Sequence, residues 1–177
     1  MKKIFSRAVR GAMLDRKAFA EVFWDDDAVA DGVIVVAAVA VASFLVVALT
    51  RASVAISSIP ALLQTTVSAV ASWLILAAAT WFAATRLFKT GGGIQTTMAT
   101  HGLAYLPTLT FVVPIAIVPV VGLIWYVAVL TRATQEAVSS DTKTAFLSVL
   151  VGFAFMLIIQ AIFQLPFTAA SALFGLF

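Results

Sequence analysis

Cysteine is absent from this chain of 177 residues, and charged residues make up only 11% of it. Without cysteine the chain can form no disulfide and offers no thiol nucleophile and no thiolate metal ligand. Ordinary soluble domains are roughly 25% charged. The low charge, together with a hydrophobic share of 63%, excludes that class and predicts an integral membrane protein.

Motifs of the common enzyme classes are absent as well. The sequence contains no G-x-G-x-x-G, H-E-x-x-H or G-x-S-x-G pattern, and its glycine run at 91–93 is followed by Ile94 instead of a Walker lysine. We therefore predict a protein that is not an enzyme and that holds no metal or cofactor. Lysine and arginine flank the apolar runs and form no basic stripe, so nucleic acid is not an expected partner.

Long uncharged runs are what the sequence does contain. Four of them hold nineteen, thirty-four, forty-two and thirty-four residues, and a membrane-spanning helix needs about 20. The runs predict an all-α bundle of five transmembrane helices. The expected spans are 32–50, 63–85, 97–114, 117–132 and 144–165.

Glycine and proline mark the expected connections between spans. The glycines at 91–93 predict a flexible connection before the third span, since three in a row cannot hold a helix. The proline-bounded segment 114–119 predicts a tight turn between the third and fourth spans. The alternative is that this short pair forms a re-entrant hairpin.

Positive charge sets the expected orientation. Ten of the eleven Lys and Arg residues lie on one side of the five-span arrangement, and only Arg51 lies on the other. Because cytoplasmic loops carry the excess of Lys and Arg, the N-terminus is predicted in the cytoplasm and the C-terminus outside. Residues 1–31 then form a cytoplasmic segment before a membrane domain at 32–177. No lipidation or retention signal is evident, so a prokaryotic plasma membrane is expected.

Residues 2–20 combine basic and apolar side chains at a helical period. Such an amphipathic helix can lie in the headgroup region with its cations toward anionic membrane lipid. It can equally pack its apolar face on the cytoplasmic end of the bundle. The first alternative makes four cations lipid-headgroup candidates: Lys3, Arg7, Arg10 and Lys17.

Carboxylates concentrate directly before the first span, in a group that we call the acidic collar: Glu21, Asp25, Asp26, Asp27 and Asp31. Pairs four residues apart share a helix face, and oxygen ligands suit Ca²⁺ or Mg²⁺. The order nevertheless lacks the spacing of an EF-hand. We expect ion pairs with basic residues of the other two cytoplasmic loops, namely Arg86, Lys89, Arg132 and Lys143.

Prolines interrupt the third and fourth spans, and irregular spans often line cavities. The candidates for an intramembrane groove are His101, Tyr105 and Pro107. Each also has a structural interpretation. A histidine near the boundary can be hydrated or bonded to a neighbouring carbonyl, tyrosine marks membrane interfaces, and proline kinks helices.

Three segments of the chain carry a resemblance to a known family: "RAVRGAMLDRKAFAEVFWDDDAVADGVIVVAAVA" at 7–40, "THGLAYLPTL" at 100–109 and "VVGLIWYVAVLTRATQEAVSSDTKTAFLSVL" at 120–150. They resemble the corresponding regions of the Yip1-domain proteins of bacteria and archaea. The resemblance implies a five-span bundle with a cytoplasmic N-terminus. Eukaryotic members bind prenylated Rab GTPases, but this chain lacks their D-L-[YF]-G-P motif before the first span, so Rab binding is not carried over.

Two functions are compatible with these features. The first is a membrane scaffold or adaptor whose acidic collar engages a basic protein partner, with a homo- or hetero-oligomer as the expected assembly. The alternative is passage of lipid or a small solute through the proline-broken third and fourth spans. The spans contain no Asp, Glu or Lys, and Arg132 stands only at the end of the fourth. This favours the first function, because conducting pathways and proton relays use charged residues inside spans.

Overall fold

The computed structural model describes residues 2–50 and 59–174, with side chains described over 3–50 and 59–162. Over these residues the chain is all-helical and contains no strand. The helices are α1 (Lys2–Ala12), α2 (Arg16–Ala20), α3 (Ala28–Thr50), α4 (Ile59–Phe82), α5 (Ile94–Leu103), α6 (Ile117–Val138) and α7 (Thr142–Phe174). Short 3-10 helices occupy Glu21–Trp24 and Leu106–Val112, and a π-helical turn at Ala83–Leu87 extends α4. Arg51, which the predicted orientation counts, lies outside the described residues.

Four described segments are long and apolar enough to cross a membrane: Ala28–Thr50, Ile59–Leu87, Ile117–Val138 and Thr142–Ile162. Uncharged runs form such helices because a helix satisfies its own backbone groups and presents only side chains to lipid. The prediction of an all-helical chain with helices long and apolar enough to cross a membrane is therefore confirmed. The four segments correspond to the predicted first, second, fourth and fifth spans, and the first two begin about one turn earlier than predicted.

The predicted third span at 97–114 is wrong as a single helix. Helix α5 has ten residues, which span about 15 Å, or half of a hydrocarbon core of about 30 Å. The chain then turns at Ala104 and Tyr105 and continues as a 3-10 helix that has Pro107 near its start. Proline lacks the N–H that a continuous α-helix would need at this position, whereas the first turn of a new helix accepts it. The five-span count is not confirmed.

Helix α5 is packed inside the bundle at a contact between two glycines. A Cβ atom added to Gly102 would overlap the Cα of Gly32 in α3, so the two backbones touch, as small residues allow. Residues 99–104 are all buried. A broken helix is tolerated at membrane depth where protein covers its backbone, and α3, α4 and α6 all contact α5.

The glycine-rich connection also makes a close contact. Gly92 has a φ of +97°, and a Cβ there would overlap the Ala137 carbonyl oxygen at the end of α6. The indole N–H of Trp81 donates to the Gly92 carbonyl at 3.2 Å. Glycine is therefore required at this position both for its backbone angle and for its lack of a side chain.

Residues 2–20, predicted as one helix, form α1 and α2 with a turn between them. Leu14 has a φ of 64°. Its N–H bonds to the Gly11 carbonyl at 2.9 Å, and the N–H of Asp15 bonds to the Arg10 carbonyl at 3.0 Å, which is the Schellman pattern that ends helices. The Asp15 carboxylate then caps α2 by accepting from the Lys17 N–H at 2.9 Å.

Both short helices pack on the bundle. Ala8 and Phe19 are fully buried and share one hydrophobic core with Leu103 of α5 and Tyr126 of α6. The Trp125 indole donates to the Ala12 carbonyl at 2.8 Å. Packing on the bundle is thus the arrangement that the structure has, and an interfacial placement of this segment is not confirmed.

Candidate functional site

A buried arginine organises most of the acidic collar. The Arg7 side chain is only 3% exposed and lies 2.9 Å from Asp25, 3.4 Å from Asp31 and 3.5 Å from Glu21. The first two contacts are hydrogen bonds, while the contact from Nε to Glu21 is an ion pair without hydrogen-bond geometry. We call these four residues the Arg7 cluster. It joins α1 to the start of α3.

Arg10 extends the cluster on its solvent side. Its guanidinium donates to Asp15 at 2.8 Å and to Glu21 at 2.9 Å, while Lys3 lies 3.5 Å from Asp25. The hydrogen bond from Arg7, with the charges of Arg7 and Lys3, holds the pKa of the Asp25 carboxyl below its ordinary value. The hydrogen bond from Arg10 does the same for the pKa of Asp15. These carboxylates are ionised and satisfied within the chain.

The expected pairing of the collar with arginine is therefore correct, but the expected partners are wrong. Arg86, Lys89, Arg132 and Lys143 form no ion pair with any residue in the described ranges. One ion pair connects α2 to the end of α6, since Arg16 lies 2.6 Å from Glu136. The cations that neutralise the collar come instead from α1, which lies next to α3 once the chain folds back.

The Arg7 cluster also argues against the collar as a cation site. Three carboxylates surround one position, as they would around a metal ion, but the guanidinium of Arg7 occupies it. No group of three or more His, Asp or Glu side chains suited to a metal is found among the described residues.

Two collar carboxylates stay outside the cluster. Asp26 and Asp27 are exposed and form no ion pair with any other described residue. They follow Phe23, which is 49% exposed, and Trp24, which is 92% exposed. We call these four residues the acidic-aromatic patch. A cavity of about 180 Å³ beside it is lined by Phe23, Asp26 and residues of α5.

The four lipid-headgroup candidates divide by exposure. Arg7 is buried and neutralised, so its prediction as a headgroup contact is wrong. Arg10 is 37% exposed and holds two carboxylates. Lys3 is 75% exposed, and Lys17 is exposed as well. The helical projection failed for Arg7 because it treated the basic side of the helix as the outer one.

The three candidates for an intramembrane groove differ in whether they line a cavity. Tyr105 lines a cavity of about 220 Å³ together with Trp73, Tyr126 and residues of α7. Tyr126 makes edge-to-face contacts with the rings of Tyr105 at 6.0 Å, Phe111 at 6.3 Å and Phe153 at 6.0 Å. Such contacts stabilise aromatic clusters. Trp73 and Tyr126 were not predicted as part of this cavity, because they belong to helices distant in sequence from Tyr105.

His101 and Pro107 do not line this cavity. His101 is fully buried, and its Nε2 lies 2.9 Å from the hydroxyl of Thr134 on α6. The structural interpretation of this histidine is therefore the better one, although its partner is a side-chain hydroxyl and not a carbonyl. Pro107 is buried in the 3-10 helix that follows the end of α5, where it restricts the backbone. Neither residue therefore lines the cavity that the structure has near Tyr105.

Comparison with protein-family models, with curated proteins and with solved structures finds no match to this chain.

Proposed function

We propose that this chain is a non-enzymatic scaffold or adaptor of the Yip1-like type in a prokaryotic plasma membrane, with its N-terminus in the cytoplasm. It recruits or organises protein partners through the acidic-aromatic patch. In this proposal α5 and the following 3-10 helix together make the third of five crossings. The resemblance of three segments to Yip1-domain proteins supports the family, and the distribution of Lys and Arg supports the orientation.

The observation that carries the proposal is the exposure of the patch. Trp24 is 92% exposed beside two carboxylates that are not needed for ion pairs among the described residues. Tryptophan is enriched among the residues that dominate binding energy, and its ring also attracts cations. An indole beside Asp26 and Asp27 suits a partner surface that is both apolar and basic.

The Arg7 cluster holds the acidic-aromatic patch in place. Asp25 and Asp31, which flank Asp26 and Asp27 in sequence, are both held by Arg7. A surface held in place loses less conformational entropy on binding. Of the five collar carboxylates, we therefore assign only Asp26 and Asp27 to partner binding. The other three have a structural role.

The test is affinity purification in nanodiscs from native membranes, with quantitative mass spectrometry, of wild type and single-charge variants. Asp26→Asn and Asp27→Asn should each lower recovery of a specific partner. Asp141→Asn is the matched control, because Asp141 is exposed and its substitute still caps α7 by accepting from the Thr144 N–H. Equal recovery with all three variants would remove the patch from the mechanism.

The alternative, passage of lipid or solute through the third and fourth spans, has less support. The cavity at that place measures about 220 Å³, whereas ligand pockets are usually about 300–1,000 Å³. Two of the three residues expected to line it lie elsewhere.

A further inference from the structure

An apolar groove runs along the outside of α6 and α7. It encloses about 790 Å³, and one wall carries Leu14 from the turn between α1 and α2. The apolar lining includes Leu123, Val127, Phe146 and Leu150. The groove thus brings together the N-terminal segment and the last two long helices, and it opens toward the surroundings of the bundle.

One end of the groove is polar. Arg132, Gln135 and Thr142 line it there, and they form a chain of hydrogen bonds. Arg132 Nη1 donates to Gln135 Oε1 at 3.0 Å, and Gln135 Nε2 donates to Thr142 Oγ1 at 2.9 Å. Because the Thr142 oxygen accepts, its hydrogen remains available to donate.

Arg132 has no carboxylate partner among the residues that the structure describes. Glu136, one helical turn away, is held at 2.6 Å by Arg16. The guanidinium is therefore a half-buried positive charge, oriented by Gln135 and with free N–H groups, at the end of an apolar channel. Arginine in such a setting binds phosphate, because its N–H groups match the geometry of phosphate oxygens.

The length of the groove matches one leaflet. From Leu123 to Gln135 the α6 axis rises about 18 Å, and half of a bilayer core is about 15 Å. A phosphate at Arg132 thus places an acyl chain along Val127 and Leu123, without a polar group against the apolar wall.

We propose that this groove binds one anionic phospholipid. Its phosphate contacts Arg132 and Thr142, and one acyl chain lies between α6, α7 and Leu14. The charge of Arg132 distinguishes this occupant from a transmembrane helix of a second copy, which would leave the guanidinium without a counter-charge. The inference does not depend on the proposed scaffold function.

The test is native mass spectrometry of the detergent-purified chain titrated with phosphatidylglycerol or phosphatidylcholine. Wild type should retain phosphatidylglycerol preferentially. In Arg132→Gln the preference should fall about tenfold, the effect of losing a hydrogen bond to a charged group. Arg86→Gln is the matched control, because Arg86 is exposed, does not line the groove and carries the same charge.

A second variant tests the apolar wall without changing charge. Ala128 is exposed and lines the groove, so Ala128→Trp should fill the groove and lower retention of both lipids. Equal retention of the two lipids by wild type, or a preference unchanged in Arg132→Gln, would overturn the proposal. A wild-type dimer that retains no lipid and that Ala128→Trp converts to monomer would assign the groove to a second copy.

Discussion

Replacing Arg7 tests whether the Arg7 cluster holds the N-terminal segment on the bundle. Arg7→Met keeps an unbranched side chain and removes the charge. The side chains of Asp31, Asp25 and Glu21 are 13%, 19% and 42% exposed, so the substitution leaves three partly buried carboxylates without their common cation. Removing one partner of a buried pair costs about 3–5 kcal/mol. We take about 3 kcal/mol, because water screens Glu21.

The absence of cysteine supplies the assay. In an Ala8→Cys background the only thiol sits at a fully buried position of α1, and it reacts with a maleimide only when the segment opens. When closing is fast, the labelling rate follows the opening equilibrium. A cost of about 3 kcal/mol therefore raises the labelling rate about 100-fold.

Arg16→Met is the matched control for this experiment. In its pair with Glu136 the Arg16 side chain is 65% exposed and that of Glu136 is 15% exposed, so the substitution leaves one partly buried carboxylate unpaired instead of three. Because water reaches the Arg16 cation, we take the upper value for an exposed pair, about 1 kcal/mol. The control should raise labelling about fivefold or less. An Arg7→Met variant that is labelled no faster than Arg16→Met would show that the Arg7 cluster does not hold α1 on the bundle. Neutralising Asp25 and Asp31 together with Arg7 should recover part of the protection, because the uncompensated charges are then gone.

Two further predictions concern acid and packing. Arg7 lowers the pKa of Asp25 below its ordinary value of 3.8. The stability that ionised Asp25 adds to the fold is therefore fully present above pH 3.8, and it is lost as the pH falls through the lower pKa of the folded state. The thermal midpoint of wild type should thus drop more steeply than that of Asp25→Asn below pH 3.8, and identical acid profiles would contradict this. Gly102→Ala should destabilise the protein by about 1–3 kcal/mol, because its Cβ overlaps the backbone of Gly32. Gly91→Ala, whose Cβ meets nothing within 4 Å, is the control, and equal thermal midpoints for the two variants would contradict the packing argument.

The four long helices could be predicted because length and lack of charge are local properties. The break within the predicted third span, between α5 and the following 3-10 helix, was harder to predict. The run of forty-two uncharged residues is long enough for two spans, and no residue next to Leu103 shows that α5 ends there. Pro107 was a usable signal, since proline disfavours helix at the residue before it. The contact between Gly102 and Gly32 joins residues that are distant in sequence, and periodicity does not reveal such contacts.

The Arg7 cluster was missed for a related reason. Arg7 is 18 residues from Asp25 and 24 from Asp31. A helical projection sorts side chains by direction but does not say which direction faces protein. The abundance of both signs of charge within 1–31 was the available signal, because nearby charges of opposite sign pair when their elements fold together.

Helix α1 buries a charged side chain and leaves apolar side chains exposed. Its buried side carries Arg7 and Ala8, while its exposed side carries Lys3 and also Phe5 and Val9, which are 40% and 42% exposed. Met13, which directly follows the helix, is 75% exposed. In water such an arrangement would be unfavourable, but beside lipid it is expected, because charges there turn inward and pair. Contact of these exposed apolar side chains with lipid would place α1 at the membrane surface while it stays packed on the bundle. Packing of α1 on the bundle therefore does not contradict the predicted contact of this segment with lipid, which stays a prediction.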